Sequence, residues 1–225
     1  MPRLFGLIFI VIFTFVIPVH AEEVEIPSAG APDLMTFQMA DWLHEVGLFA
    51  GTETGYALEQ PATRAQAAVM LVRLLGKEDV ANEAAHKHPF TDVPQWAGNA
   101  VGYMYSNGIS NGISITKFGS SRQITAQDYV TMLLRAMKYK DVRDFESNES
   151  VKFAVERGMF WDEPQYVEMA STASFLREHL VFASFRLLDG NMYDEEETLA
   201  GFLCSQGILT YEQLAKANIK ATYWQ

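Results

Sequence analysis

The chain has 225 residues, 49% hydrophobic and 20% charged, with 28 acidic residues against 17 basic ones for a net charge of −11. A surface of that sign repels nucleic acid and anionic lipid, so neither is an expected partner. It also repels an anionic polymer at long range, so such a ligand needs a local cationic pocket. The single cysteine, Cys204, allows no intramolecular disulfide, and stability must come from a core that a chain of this length can bury.

Residues 1–21 read as a secretory signal peptide: Arg3, a 14-residue apolar run over 4–17, then Val19-His20-Ala21 at a small-x-small cleavage site. That run falls short of the roughly 20 residues that span a bilayer, so no stable membrane insertion is expected after cleavage. No cysteine follows it, which argues against a lipid anchor. Residues 22–32, acidic and then rich in Pro, Ala, Ser and Gly, read as a flexible leader.

From 34 to 49 the apolar residues Leu34, Phe37, Ala40, Leu43 and Val46 recur at helical spacing, and Gly47 stops the helix. A loop with Gly51 and Gly55 follows. Thr63 and Gln66 form a capping box that opens a second helix ending at Gly76. Residues 77–88 read as a polar linker. Its His86-Lys87-His88 lacks further ligands at metal spacing, so no metal site is assigned.

The next unit covers 89–140. Asp92-Val93-Pro94 makes a turn, Trp96 opens a helix, Asn107-Gly108 and Asn111-Gly112 mark turns, and Thr125 caps another helix with Asp128 as a weaker third-position partner. In the stretch 141–188 a polar connector precedes helices at 151–155 and about 176–188. Thereafter Asp194 and the following glutamates look like a helix start, 198–205 is helical, and Thr210 with Gln213 caps a last short helix. Asp189-x-Asn191 begins like a calcium loop, but Asp194 stands where the loop needs glycine.

These units are copies of one another. Gly47, Gly108 and Gly158 share a column, as do Leu43/Met104/Ala154, Leu71/Leu133/Ser184, Arg73/Arg135/Arg186 and Leu75/Met137/Leu188. The glycine precedes the second-helix cap by 16, 17 and 18 residues. Each copy is helix, glycine turn, loop and helix, with one face to bury, so the fold is expected to be all-α. It comprises three helix-loop-helix repeats (33–76, 89–140 and a degenerate 141–188) around one core, plus a C-terminal helical pair over 189–225 that serves as a cap.

Arg64 follows its N-cap directly, and Arg177 occupies the same column. A cation in the first helical turn opposes the helix dipole at a cost of about 0.3–1 kcal/mol. Two readings stay open: an anion held between the guanidinium and free backbone N–H groups, or pairing with a nearby acid. Repeat two has Ala126 in that column, and repeat three has Leu176 in place of the capping threonine. Gly51 and Gly112 let backbone approach a ligand or simply make turns. Trp96 is read as inter-repeat core, with stacking on a sugar face as the alternative. Arg73, Arg135 and Arg186 complement helix C-termini and are given no site. Ser114-x-x-Lys117 and Tyr105-Ser106-Asn107 are in the wrong order for an acyl-enzyme, and no P-loop, G-x-S-x-G or H-E-x-x-H occurs, so neither enzyme activity nor a cofactor is expected.

The run Phe90-Thr91-Asp92-Val93-Pro94-Gln95-Trp96-Ala97, with Gly108-Ile109-Ser110-Asn111-Gly112 and Ile124-Thr125, resembles an S-layer homology repeat. Thr63-Arg64-Ala65-Gln66 resembles that family's helix opening. The resemblance implies a pseudo-threefold domain that holds a secreted protein to bacterial secondary cell-wall polysaccharide, at the cell wall or surface. The anion would be the carboxylate of a ketal-linked pyruvate, met by Arg64 and Arg177 beside Thr63, Thr125, Gly51, Gly112 and Trp96. A structural component that binds other envelope proteins and no glycan is the alternative.

Overall fold

The computed structural model describes residues 34–84, 86–160 and 174–219. The expected signal peptide and leader, the terminal Tyr223-Trp224-Gln225 and the stretch 161–173 lie outside the described residues. Among the described residues there are nine α-helices and no strand, so the fold is all-α as expected. None of these helices is long and apolar enough to cross a membrane.

The first repeat supplies α1 (Leu34–Glu45) and α2 (Arg64–Leu74), and α3 (Glu78–Ala84) follows. The second supplies α4 (Gly98–Ser106), entered through a 3₁₀ turn at Gln95–Ala97, and α5 (Ala126–Ala136). The third supplies α6 (Ser150–Glu156) and α7 (Arg177–Leu187), and the chain closes with α8 (Leu199–Ser205) and α9 (Tyr211–Lys216).

The glycine column is one structural position. Gly47, Gly108 and Gly158 all have left-handed φ, of +78°, +68° and +67°. In each, the next residue's N–H turns back to the helix: Leu48 to Leu43 C=O at 2.8 Å, Ile109 to Met104 C=O at 2.8 Å, Met159 to Ala154 C=O at 3.0 Å. These bonds satisfy carbonyls that a helix end leaves open, and glycine reaches the conformation without a Cβ penalty. Gly207 repeats the pattern after α8, with Ile208 N–H on Leu203 C=O at 2.9 Å. The two helices of the C-terminal pair are therefore joined through the same turn that ends the first helix of each repeat.

The repeats interlock at the starts of their second helices. Ala62 N–H donates to Phe175 C=O at 3.2 Å, and Ile124 N–H donates to Ala62 C=O at 3.0 Å. The first N–H groups of α7, on Arg177 and Glu178, reach Gln60 and Leu58 C=O in the first repeat's loop, each at 2.9 Å. Those of α2, on Arg64 and Ala65, reach Arg122 and Ser120 C=O in the second repeat's loop, at 2.9 and 3.1 Å. A helix start leaves such donors without intrahelical partners. Here another repeat's loop supplies the acceptors, in the same order at two successive junctions. Neither α2 nor α7 completes its start within its own repeat.

The second helices also meet through their side chains. Leu71, Leu133 and Ser184, one sequence column, are all fully buried. Where repeat three has serine in place of leucine, Tyr129 fills the space, its hydroxyl 2.7 Å from Ser184 Oγ, which donates to Leu180 C=O.

Three expectations are corrected. Within the expected linker 77–88, residues 78–84 form α3, because Glu78 and Asp79 suit a helix N-terminus, Ala81 is buried and Arg73 pairs with Glu78 at 2.5 Å. The buried face of α1 is Thr36, Met39, Ala40 and Leu43, leaving Leu34 76% and Phe37 42% exposed. The packing against α7, through Trp42 edge-on to Phe185, rotates the helix away from the stripe that counting apolar residues suggests. No helix starts at Asp194, which has φ +56°. The acidic stretch is folded into a turn by Met192 N–H on Glu197 C=O at 2.9 Å, and α8 begins only where Thr198 Oγ1 accepts from Gly201 N–H.

Candidate functional site

The seam between repeats one and two is assembled outward from Asp92. Its carboxylate accepts N–H bonds from Phe118 and Gly119 at 2.8 Å each and from Ser120 at 3.4 Å. Burial pushes its pKa up, but these backbone donors outweigh that and hold it below the usual carboxylate range. The pinned loop presents the Ser120 and Arg122 carbonyls to α2 and sets the Phe118 ring, fully buried, beneath Arg64. Sequence reading saw only a turn in Asp92-Val93-Pro94. The structure makes its aspartate the anchor of the loop that caps the preceding repeat.

Arg64 is 6% exposed. Its Nη2 donates to Ser110 Oγ at 3.2 Å, its guanidinium carbon lies 5.1 Å from the Phe118 ring centre, and Nη1 is 3.2 Å from Asp128 Oδ2. Burial pushes the guanidinium's pKa down, against the opposing pull of Asp128. Nε has no hydrogen-bond acceptor among the described residues, and Nη1 meets Asp128 as an ion pair without a well-directed hydrogen bond. A buried guanidinium with unused donors is costly, and an approaching carboxylate would relieve it. Its counter-charge, Asp128, has a side chain 48% exposed. The acid that sequence reading assigned only a weak capping role is thus the partner of Arg64 across the seam.

Arg177 stands at the equivalent place between repeats three and one. Its Nε donates to Tyr56 C=O at 2.9 Å and its guanidinium carbon lies 5.5 Å from the Phe49 ring centre. Burial lowers its pKa, with Glu59 pulling the other way. Among the described residues no carboxylate forms an ion pair with it. The two arginines therefore share a setting, a guanidinium over an aromatic ring at a repeat junction, but only Arg64 has an acidic partner.

The free helix N–H groups expected beside both arginines are not free. The carbonyls named above take them, and Thr63 Oγ1 takes Gln66 N–H at 3.3 Å. An anion at either seam must be met by side chains. Thr63 and Thr125 hydroxyls are engaged in their own caps, Thr125 Oγ1 accepting from Asp128 N–H at 3.1 Å. At Gly112, with φ +75°, a Cβ would fall 2.4 Å from the Phe90 ring and 2.6 Å from Lys117 C=O, so protein occupies the approach. Gly51 likewise faces Gly55 C=O, 2.8 Å from where a Cβ would stand. Trp96 is not core. It is 61% exposed, because in the 3₁₀ turn its neighbour Ala97 takes the inward position.

The fold and the seams define an all-α repeat module in which two of the junctions carry a partly desolvated arginine, Arg64 and Arg177. The S-layer homology domain family model matches residues 89–130, so the chain carries an S-layer homology domain there. It is similar to a cell surface protein of Thermoanaerobacter kivui, 34% identical over 90 residues, which is 39% of this chain and 12% of that protein. It also resembles the middle cell wall protein of Brevibacillus brevis, 31% identical over 123 residues, 53% of this chain and 12% of that protein. An endoglucanase of a Bacillus species is 33% identical over 98 residues, 43% of this chain and 10% of that enzyme. The chain thus covers only about an eighth or less of the length of the relatives it matches.

Proposed function

We propose that this chain is a non-catalytic, cell-surface module that attaches to anionic secondary cell-wall polysaccharide, with pyruvate ketals on the sugars as the recognised anion. The observation that carries this reading is Arg64. A guanidinium withdrawn from water keeps Nε without an acceptor and Nη1 in an ion pair without a well-directed hydrogen bond, and that one carboxylate partner, Asp128, is half exposed. A sugar carboxylate arriving at the seam takes the place of Asp128 and supplies the missing acceptors, a gain available only because the guanidinium is already desolvated. Arg177 offers a second such seam, and Trp96 a ring face open to a sugar. The names of two relatives, a cell surface protein and a cell wall protein, support the location.

The test is retention of purified protein on isolated cell walls. Arg64→Met together with Arg177→Met should reduce retention well beyond either change alone, while Asp128→Asn should preserve it. Wild-type retention in the double variant would reject the seams as the site. A second reading, a component binding other envelope proteins, draws on Ala126, which leaves repeat two without the cation. It predicts retention on walls that depends on a protein fraction and is indifferent to both arginines.

A further inference from the structure

At the opposite ends of the same helices lies a cavity of about 500 Å³ that the arginine seams do not use. The C-terminal ends of α2 and α5, the Asn107–Ile109 turn after α4 and Phe202 of α8 form its wall. In a chain with net charge −11, this wall gathers Lys77, Arg135, Lys138 and Lys140 with a single carboxylate, Asp141. Asp141 is already taken: Arg135 Nε donates to it at 2.8 Å and Nη2 pairs with its other oxygen, while Nη1 donates to Ile109 C=O at 3.2 Å. Arg135 is thereby a fixed floor with no fork left over. Among the described residues none of the three lysines forms an ion pair, so their ammonium groups are the charges on offer.

A second, independent observation points to the same place. Repeat one closes α2 with Gly76 at φ +61°, its N–H on Arg73 C=O, followed by Lys77 N–H on Val72 C=O. Repeat two makes the same turn after α5, with Lys138 N–H on Arg135 C=O and Tyr139 N–H on Leu134 C=O. There the left-handed residue is Lys138, at φ +76°, an unfavourable conformation for a residue with a Cβ. Folding alone favours glycine at that position. A strained residue at the rim of a cationic cavity is what a binding role accounts for.

We infer that this cavity binds a phosphate-bearing glycan or polyol chain. Three unpaired ammonium groups act as point charges on tetrahedral oxyanions, whereas planar carboxylates favour arginine forks, and the one fork here is committed. The rings of Tyr103, Tyr139 and Phe202 give the chain between phosphates an apolar surface.

The test uses the full mature chain and calorimetry with three probes: poly(glycerol phosphate), inorganic phosphate and oligogalacturonate. Poly(glycerol phosphate) should bind, more weakly as salt rises, and more tightly than either other probe. Lys138→Gly is expected to raise stability while lowering affinity. Adding Lys77→Gln and Lys140→Gln should weaken binding by at least about tenfold. Equal affinity in the triple variant, or no binding by the wild type, overturns the proposal. Equal affinity for inorganic phosphate overturns the polymer as occupant. The Arg64→Met, Arg177→Met variant should bind poly(glycerol phosphate) as the wild type does, so failure here and failure of the seam reading remain distinguishable.

Discussion

Replacing Asp92 with asparagine tests whether that carboxylate organises the first seam. Asparagine keeps one acceptor oxygen and turns the other position into an NH₂ group facing an N–H donor. The change therefore removes at least one of the two 2.8 Å bonds and the charge that strengthens both. Hydrogen bonds to a charged group contribute about 1.5–3 kcal/mol each, and the side chain here is only partly buried, so a loss of about 2 kcal/mol is expected. For a chain of this size that is a fall in Tm of about 4–8 °C. The pH dependence carries the sharper signature. The folded-state pKa of Asp92 is depressed, so its contribution is present above the unfolded carboxylate value of about 3.9 and is lost as pH falls through the folded value. Urea unfolding of wild type and Asp92→Asn should differ most at neutral pH and converge in acid. A difference below about 0.5 kcal/mol at neutral pH, or one that does not shrink in acid, would refute the clamp.

Lys138→Gly should stabilise the protein by about 0.5–1 kcal/mol in urea unfolding, since glycine carries no Cβ penalty at φ +76°. Arg64→Met should leave stability unchanged or raise it by about 1 kcal/mol, because a buried charge with unused donors gives way to an apolar side chain, yet it should lower wall retention. Tyr129→Phe removes the 2.7 Å contact with Ser184 at the centre of the second-helix cluster and should cost about 1 kcal/mol by thermal unfolding. The carboxyls of Glu78 and Asp141 are held low chiefly by hydrogen bonds from Arg73 and Arg135. Stability from both pairs, read by an acid titration of unfolding, should be complete above the ordinary carboxylate range and lost below it.

The repeat was legible because it rests on local chemistry. Gly47, Gly108 and Gly158 need one conformation, and Thr63, Thr125 and Thr210 cap the helices they precede. Features set by a distant partner were not legible. Asp92 looks like any turn aspartate until the loop of 118–120 arrives on it, and Asp128 like a helix-start acid until Arg64 crosses the seam. The N–H groups beside Arg64 and Arg177 seem open when each helix is taken alone, because the carbonyls that fill them belong to another repeat. Trp96 was misplaced for a related reason. Hydrophobicity argues for burial, but Ala97 holds the inward position of that short turn. The basic cavity gave no signal at all, since Lys77, Arg135 and Lys138 sit where any helix C-terminus welcomes a cation.

The most direct test of the account is cosedimentation of the purified chain with isolated cell walls, before and after chemical removal of the secondary polysaccharide. Retention on intact walls that disappears on stripping, and that is also lost in the Arg64→Met, Arg177→Met variant, is the predicted result. Equal retention on stripped and intact walls would contradict it.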